Sequence, residues 1–182
     1  MELQTILIIS FLLISLLGTL FHFTHGWVKR GFLLHVFSAL NESTWEHMKM
    51  LLAPTLLVSL LQLFYFRGVY ENFWNGLLLL LIVELFTIPF LFEPLRYFIK
   101  KVPFVFTILI FYLAIFFGLL VEYLVLKNEI LIFSDFIALI FVLILVILFG
   151  FFSYYPPKHF LFRDPVTGEY GDYLHKEKVL KK

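Results

Sequence analysis

The chain has 182 residues, 62% hydrophobic, 20% aromatic and 15% charged, far from the roughly 45–50% apolar and ~25% charged composition of an ordinary soluble domain. Five apolar runs at about 20 residues per membrane span take up most of the length, which excludes a separate soluble catalytic domain, and no Walker or dinucleotide glycine motif is present. The net charge of +1 says little by itself, no nucleic-acid partner is expected, and the lack of cysteine excludes disulfides, thiolate metal ligands and thiol nucleophiles.

The apolar runs are Ile6–Phe23, Thr44–Phe66, Phe73–Phe92, Val102–Leu126 and Ile130–Phe152, each long enough to cross a hydrocarbon core of ~30 Å. Runs such as Leu77 to Leu81 lack the period-two alternation of a membrane barrel, so helices are the spanning form. The expected fold is all-α: a polytopic bundle of five transmembrane helices over residues 1–155, followed by a tail over 156–182. Met1-Glu2-Leu3-Gln4 is acidic where a signal peptide is basic, so the first run reads as an uncleaved span. Twelve Lys and Arg residues fall on one side of these spans and only Arg67 and Lys127 on the other. This asymmetry predicts an external amino terminus and a cytoplasmic carboxyl terminus in a multi-pass protein of the inner (plasma) membrane.

Between the first two spans, Gly31–Leu40 is too short to cross and too apolar for a free loop, which predicts a short interfacial helix. Four of the six histidines, His22, His25, His35 and His47, lie within 26 residues here. The stretch Asn41-Glu42-Ser43-Thr44-Trp45-Glu46-His47 then opens the second span. Ser43 with Glu46 three residues later is a capping box, and Glu46 with Lys49 suits a surface ion pair. Neither explains Glu42 or the excess of histidine. The alternative is a site in which His22, His47 and Glu46 hold a divalent metal such as zinc, and Glu46, His47 and Glu42 act on a bound water. The spacing does not match the His-Glu-x-x-His pattern of metalloproteases. Asn41-Glu42-Ser43 also fits a glycosylation sequon, discounted because the charge rule places it in the cytoplasm.

Glu84 lies eleven residues into the third span, about 16 Å deep at 1.5 Å per residue. A charged carboxylate facing lipid there costs several kcal/mol, so Glu84 is expected to face other helices, either as an intramembrane proton or ion relay or as a hydrogen-bonding link between two helices. Pro89 cannot bond the Leu85 carbonyl and favours a kink nearby. Glu122 and Asp135 lie near the outer interface, where they are expected to reach water. After the last span Pro156-Pro157 stops the helix, and Asp164-Pro165-Val166-Thr167 suits a turn or hairpin, with Gly168 as its left-handed residue. Such a turn is expected to dock on the cytoplasmic face, where Asn41, Arg163 and Asp164 would contact a substrate or lipid headgroup. The final lysines would lie near anionic lipid.

The segments Asn41-Glu42-Ser43-x-Trp45-Glu46-His47 and Tyr155-Pro156-Pro157 … Phe162-x-Asp164-Pro165-x-Thr167-Gly168-x-Tyr170-Gly171, together with His22-Phe23, resemble an uncharacterised (domain of unknown function) family of small bacterial polytopic integral membrane proteins. The resemblance covers nearly the whole chain. It implies a bacterial inner-membrane location and singles out His22, Glu42, Glu46, His47 and Asp164; His25 and His35 stand outside the family pattern.

Three functions fit these residues. The first is a membrane-embedded, metal-assisted hydrolase or transferase acting on a lipid or lipid-linked substrate. The second is a transporter or ion pathway using Glu84 and the histidine cluster, working as a homo-oligomer because five small helices enclose little volume. The third is a noncatalytic subunit of a membrane complex. Orientation is common to all three. Reporter fusions should place an amino-terminal tag outside and a carboxyl-terminal tag inside, and a cytoplasmic signal from the amino-terminal fusion would defeat the charge argument.

Overall fold

A computed structural model describes residues 2–27, 39–99 and 102–171, with the side chains of residues 22–27 outside that set. Among the described residues five α-helices follow one another: α1 Leu3–Trp27, α2 Thr44–Phe66, α3 Phe73–Phe98, α4 Phe104–Lys127 and α5 Asp135–Tyr154. All five are long and apolar enough to cross a membrane, consistent with a multi-pass membrane protein. No strand occurs among the described residues, and a short 3-10 turn at Phe160–Phe162 follows α5. The interfacial helix expected over Gly31–Leu40 falls largely on residues 28–38, outside the described set. Alternation of direction gathers the starts of α2 and α4, the ends of α1, α3 and α5, and the segment after α5 at one end of the bundle, called here the tail end.

Helices α1 to α4 close a ring, each packed on the next and α4 back on α1, while α5 lies outside against α3. The apolar stripe of α3 shows why it is the centre. Leu77, Leu80, Leu81, Leu85 and Ile88 recur at helical spacing and are all at most 4% exposed, so one continuous face is covered by neighbours. In contrast, α5 leaves most of its surface open, with Phe136, Leu143 and Ile147 among the exposed apolar side chains, as suits a helix bathed in hydrocarbon.

Glycines set how closely the helices approach. A Cβ on Gly118 of α4 would stand 2.7 Å from Cγ of Glu84 and 3.2 Å from the Leu80 carbonyl oxygen, and one on Gly76 of α3 would meet Cγ of Glu122 at 3.4 Å. Each helix therefore offers the other a notch for its carboxyl-bearing side chain, the close approach that small residues allow between membrane helices. Pro54 has no N–H for the Met50 carbonyl, and Gly18 of α1 lies directly over that oxygen, 3.3 Å from where its Cβ would be.

Two boundaries differ most from the sequence reading. The run Ile130–Phe152 is not one helix: α5 starts at Asp135, capped by Ser134, whose hydroxyl accepts from the Ile137 amide. The apolar residues before it are held in a loop by Asn75, whose side-chain oxygen accepts from the Ile132 and Phe133 amides and whose Nδ2 donates to the Phe133 carbonyl, all at 3.1 Å. Asn72 adds bonds to the carbonyls of Val125 and Ile130. At the other end of α3, the helix runs on through Pro94 to Phe98, because Glu93 and Arg96 in its last turns are engaged by the start of α2.

The notch at Gly118 makes a direct forecast. Gly118→Ala should lower stability by about 1–3 kcal/mol, since the Leu80 backbone cannot move aside cheaply. The check is the melting temperature in detergent, compared with wild type.

Candidate functional site

Polar groups collect at two levels of the bundle. At the tail end, α2 begins with a cap that the sequence foretells: Oγ of Ser43 accepts from the Glu46 amide at 3.4 Å, and the Asn41 side chain accepts from the Ser43 amide at 2.8 Å. Glu46 does more than close its own helix. Its Oε2 accepts from the Leu40 amide at 3.0 Å and from Nζ of Lys49 at 2.8 Å. The expected surface ion pair is in fact buried, with the Lys49 and Glu46 side chains only 1% and 4% exposed. Lys49 lies more than a turn inside α2, where its stem is covered by the bundle and its ammonium group must be matched by a carboxylate.

His47 faces the other way from this pair. Its Nδ1 is 2.8 Å from the Ser43 carbonyl oxygen, and its Nε2 is 3.7 Å from the Glu42 carboxylate, which is 57% exposed. A carbonyl only accepts, so Nδ1 carries the hydrogen of that bond and the ring is held in one orientation. One face of the ring packs against Phe92. His47 also lines a cavity of about 220 Å³ whose wall is otherwise nearly all apolar, including Gly18, Met50, Ile88, Phe92 and Phe111. Beside it, Thr44 donates to Glu93 of α3, and Arg96 bonds both Glu93 at 3.1 Å and Thr44 at 3.2 Å, which fixes α2 to α3.

The segment after α5 folds over the same end. Trp45 of α2 is stacked between Phe149 of α5 and Phe162 of the 3-10 turn, with ring centroids 4.1 and 4.4 Å away, and Phe152 meets it edge-on. Asn41 donates to the Gly171 carbonyl at 3.2 Å. Asp164, 2% exposed, organises the turn between these contacts: its carboxylate accepts from the Val166 amide and the Thr167 hydroxyl, and its carbonyl accepts from the Gly168 amide. Gly168 takes φ 77°, a left-handed conformation suited to glycine. Arg163 donates to the Gly168 carbonyl at 3.2 Å. Of the expected headgroup contacts, Asn41 and Asp164 are thus engaged in docking and shaping the tail.

His22, His25 and His35 lie outside the described side chains. Among the described residues no group of three or more His, Asp or Glu is placed to hold a metal ion. At Glu46 a divalent cation would have to share the carboxylate with the Lys49 ammonium.

The second level lies deep in the bundle. Glu84 is fully buried and faces the neighbouring helices, with Oε2 accepting from the Thr55 hydroxyl of α2 at 2.8 Å. Glu122 corrects the sequence reading: it does not reach water but is also 0% exposed, accepting from Nε2 of Gln62 at 3.0 Å. Gln62 donates as well to Ser10 of α1 at 3.1 Å, so α1, α2 and α4 meet at one amide. Asp135, partly buried, accepts from the Asn75 amide and side chain. A signal for Glu122 was present in the sequence. Gln62 is four residues from the end of α2 and Glu122 five from the end of α4, which puts an amide and a carboxyl at the same depth, and Thr55, Ser59 and Gln62 share one face of α2 by spacing.

These two levels are carried by a chain that matches one family over residues 1–172. The chain belongs to the family of unknown function DUF6512. No curated protein matches it, and no solved structure does. The match spans all five helices, the capped start of α2 and the Asp164 turn, so both polar levels lie inside the family's own boundaries.

The buried ion pair gives a test with a sign reversal. Lys49→Met should cost about 3–5 kcal/mol by leaving the Glu46 carboxylate buried and unmatched. Adding Glu46→Gln, which keeps an acceptor for the Leu40 amide, should recover most of that loss. Chemical denaturation in mixed micelles of the single and double variants checks it.

Proposed function

We propose that this is an inner-membrane enzyme, a hydrolase or transferase, which acts on a lipid or lipid-linked substrate at the cytoplasmic interface, with its amino terminus outside and the tail end inside. The orientation rests on the distribution of Lys and Arg. The reading of the site rests on one observation: His47 stands at the boundary between an apolar cavity and a polar cluster, its ring held by the Ser43 carbonyl and its far nitrogen beside Glu42.

That boundary has the polarity of a membrane lipid. A hydrocarbon chain fits the wall formed by Met50, Ile88, Phe92 and Phe111, while the polar end of the same molecule would lie at the helix start with Glu42 and His47. With the hydrogen on Nδ1 fixed, Nε2 is the nitrogen that changes its proton. It would take the proton of an attacking water or hydroxyl and return it to the leaving group, with the Glu42 carboxylate balancing the imidazolium between the two transfers. The sequence reading added a zinc ion on His22, His47 and Glu46. The Lys49 ammonium at Glu46 argues against that ligand set, and the proposal uses His47 and Glu42 without it. Asn41 and Asp164 then serve the site by shaping its cover.

Turnover of a panel of radiolabelled phospholipids and prenyl-linked phosphates in proteoliposomes tests the reading. His47→Ala should reduce turnover by about 10²–10⁴-fold with the helical content unchanged, and Glu42→Gln should reduce it less. No turnover of any lipid by the wild-type protein would sink the enzyme reading.

A further inference from the structure

Glu84 and Glu122 take no part in the proposed lipid chemistry, and their surroundings carry a separate inference. Both side chains are 0% exposed. In each, one oxygen accepts a single hydrogen bond, from Thr55 or Gln62, while the other, Oε1, has no partner among the described residues. Orphaned carboxyl oxygens are costly inside a protein and more so in a hydrocarbon layer.

The two groups are also close. Cγ of Glu84 lies 2.7 Å from where Gly118 would place a Cβ, and Glu122 is the next turn of the same face of α4, about 5–6 Å further along. Among the described residues no cation bonds either carboxyl group. The sequence has no Lys, Arg or His in Leu3–Phe21, Met50–Phe66, Phe73–Phe92, Phe104–Leu126 or Phe136–Tyr154. From α1 and α2 the facing groups are Ser10, Thr55 and Gln62, all neutral. From α3 and α5 the nearest titratable group is Asp135, held on Asn75 beside Gly76. On α4, the Tyr123 hydroxyl accepts from Gln4 and Lys127 lies over its ring, directed to the surface and not to the pair. Two ionised carboxylates here would be two unmatched negative charges in the membrane interior.

We propose that Glu84 and Glu122 form a proton-binding site within the bundle, at which a proton is held between the two carboxyl groups and exchanges with water at the end of the bundle opposite the tail. A proton suits the geometry better than a metal cation. It needs one donor oxygen and one acceptor oxygen, directly or through one water, and the two orphaned oxygens supply both. A hard metal cation takes about six or more oxygens, and the site offers two that are uncommitted. Polar groups lie on the way out: Gly76 brings the start of α3 against Glu122, and the neighbouring Asn75, bonded to the partly buried Asp135, stands at that start, the end of the bundle opposite the tail. Thr55, Ser59 and Gln62 line the same side along α2.

Infrared spectroscopy of the full chain in lipid nanodiscs tests this. The wild type should show a neutral-carboxyl C=O band at pH 7 that shifts within minutes in deuterated buffer and disappears in one step on alkaline titration. Glu84→Gln/Glu122→Gln should abolish the band. Each single variant, isosteric and free of the neighbouring charge, should move the titration midpoint by about one pH unit or more, and these carry the test if the double variant does not fold. Three results would overturn the proposal: a band that appears only when sodium is withdrawn, which assigns the site to a metal cation; a band that does not exchange over days, which makes the acid purely structural; or a band that survives in both single variants with an unchanged midpoint.

Discussion

A carboxyl group carried into a hydrocarbon layer must find its partners within the protein, and this requirement orders the centre of the bundle. Glu84 reaches Thr55 on α2 and Glu122 reaches Gln62 on the same helix, so two acids from α3 and α4 are both answered by α2. The acids can be placed there because α3 and α4 give each other glycine notches at Gly76 and Gly118. A larger residue at either notch would push the helices apart and move each carboxyl away from its donor. Close packing and polar satisfaction are therefore one condition at this level. Dispersion between apolar side chains alone would not fix the helices so closely, since lipid offers equivalent contacts.

The tail end solves a different problem. There the chain brings charges, not single acids, and pairs them: Lys49 with Glu46, Arg96 with Glu93. A buried pair adds little net stability, but it is costly to break, and it fixes the start of α2 to the backbone at Leu40. The result is a rigid helix start on which His47 is held against an apolar wall. Polar anchoring on one side and an open apolar space on the other is the arrangement from which the proposed lipid chemistry is argued.

Much of this was legible in the sequence where the signal was local. The five apolar runs, the Ser43 cap and the burial of Glu84 each follow from a few neighbouring residues. The start of α5 was not legible, because Ile130–Phe133 is as apolar as the helix after it and is kept in a loop by Asn75, some 57 residues earlier. Lys49 looked like a surface residue because its spacing to Glu46 is the spacing of an exposed pair; only the covering helices turn it into a buried one. Glu122 was misjudged by counting distance to the nearest interface, when depth matters less than which neighbour covers the side chain. The expected metal site rests on His22, whose side chain lies outside the described residues, and on Glu46, whose pairing with Lys49 depends on tertiary burial.

The stacking of Trp45 between Phe149 and Phe162 has a consequence for the order in which the molecule is assembled. Trp45 enters with the second helix, whereas its two stacking partners are synthesised only after more than a hundred further residues have left the ribosome. Until then the indole face that the tail will cover stands open at the helix start beside His47. Completion of that end is thus deferred until the fifth helix and the turn after it have been made, and until then the chain carries a bare aromatic surface that a chaperone or the insertion machinery would be in a position to hold.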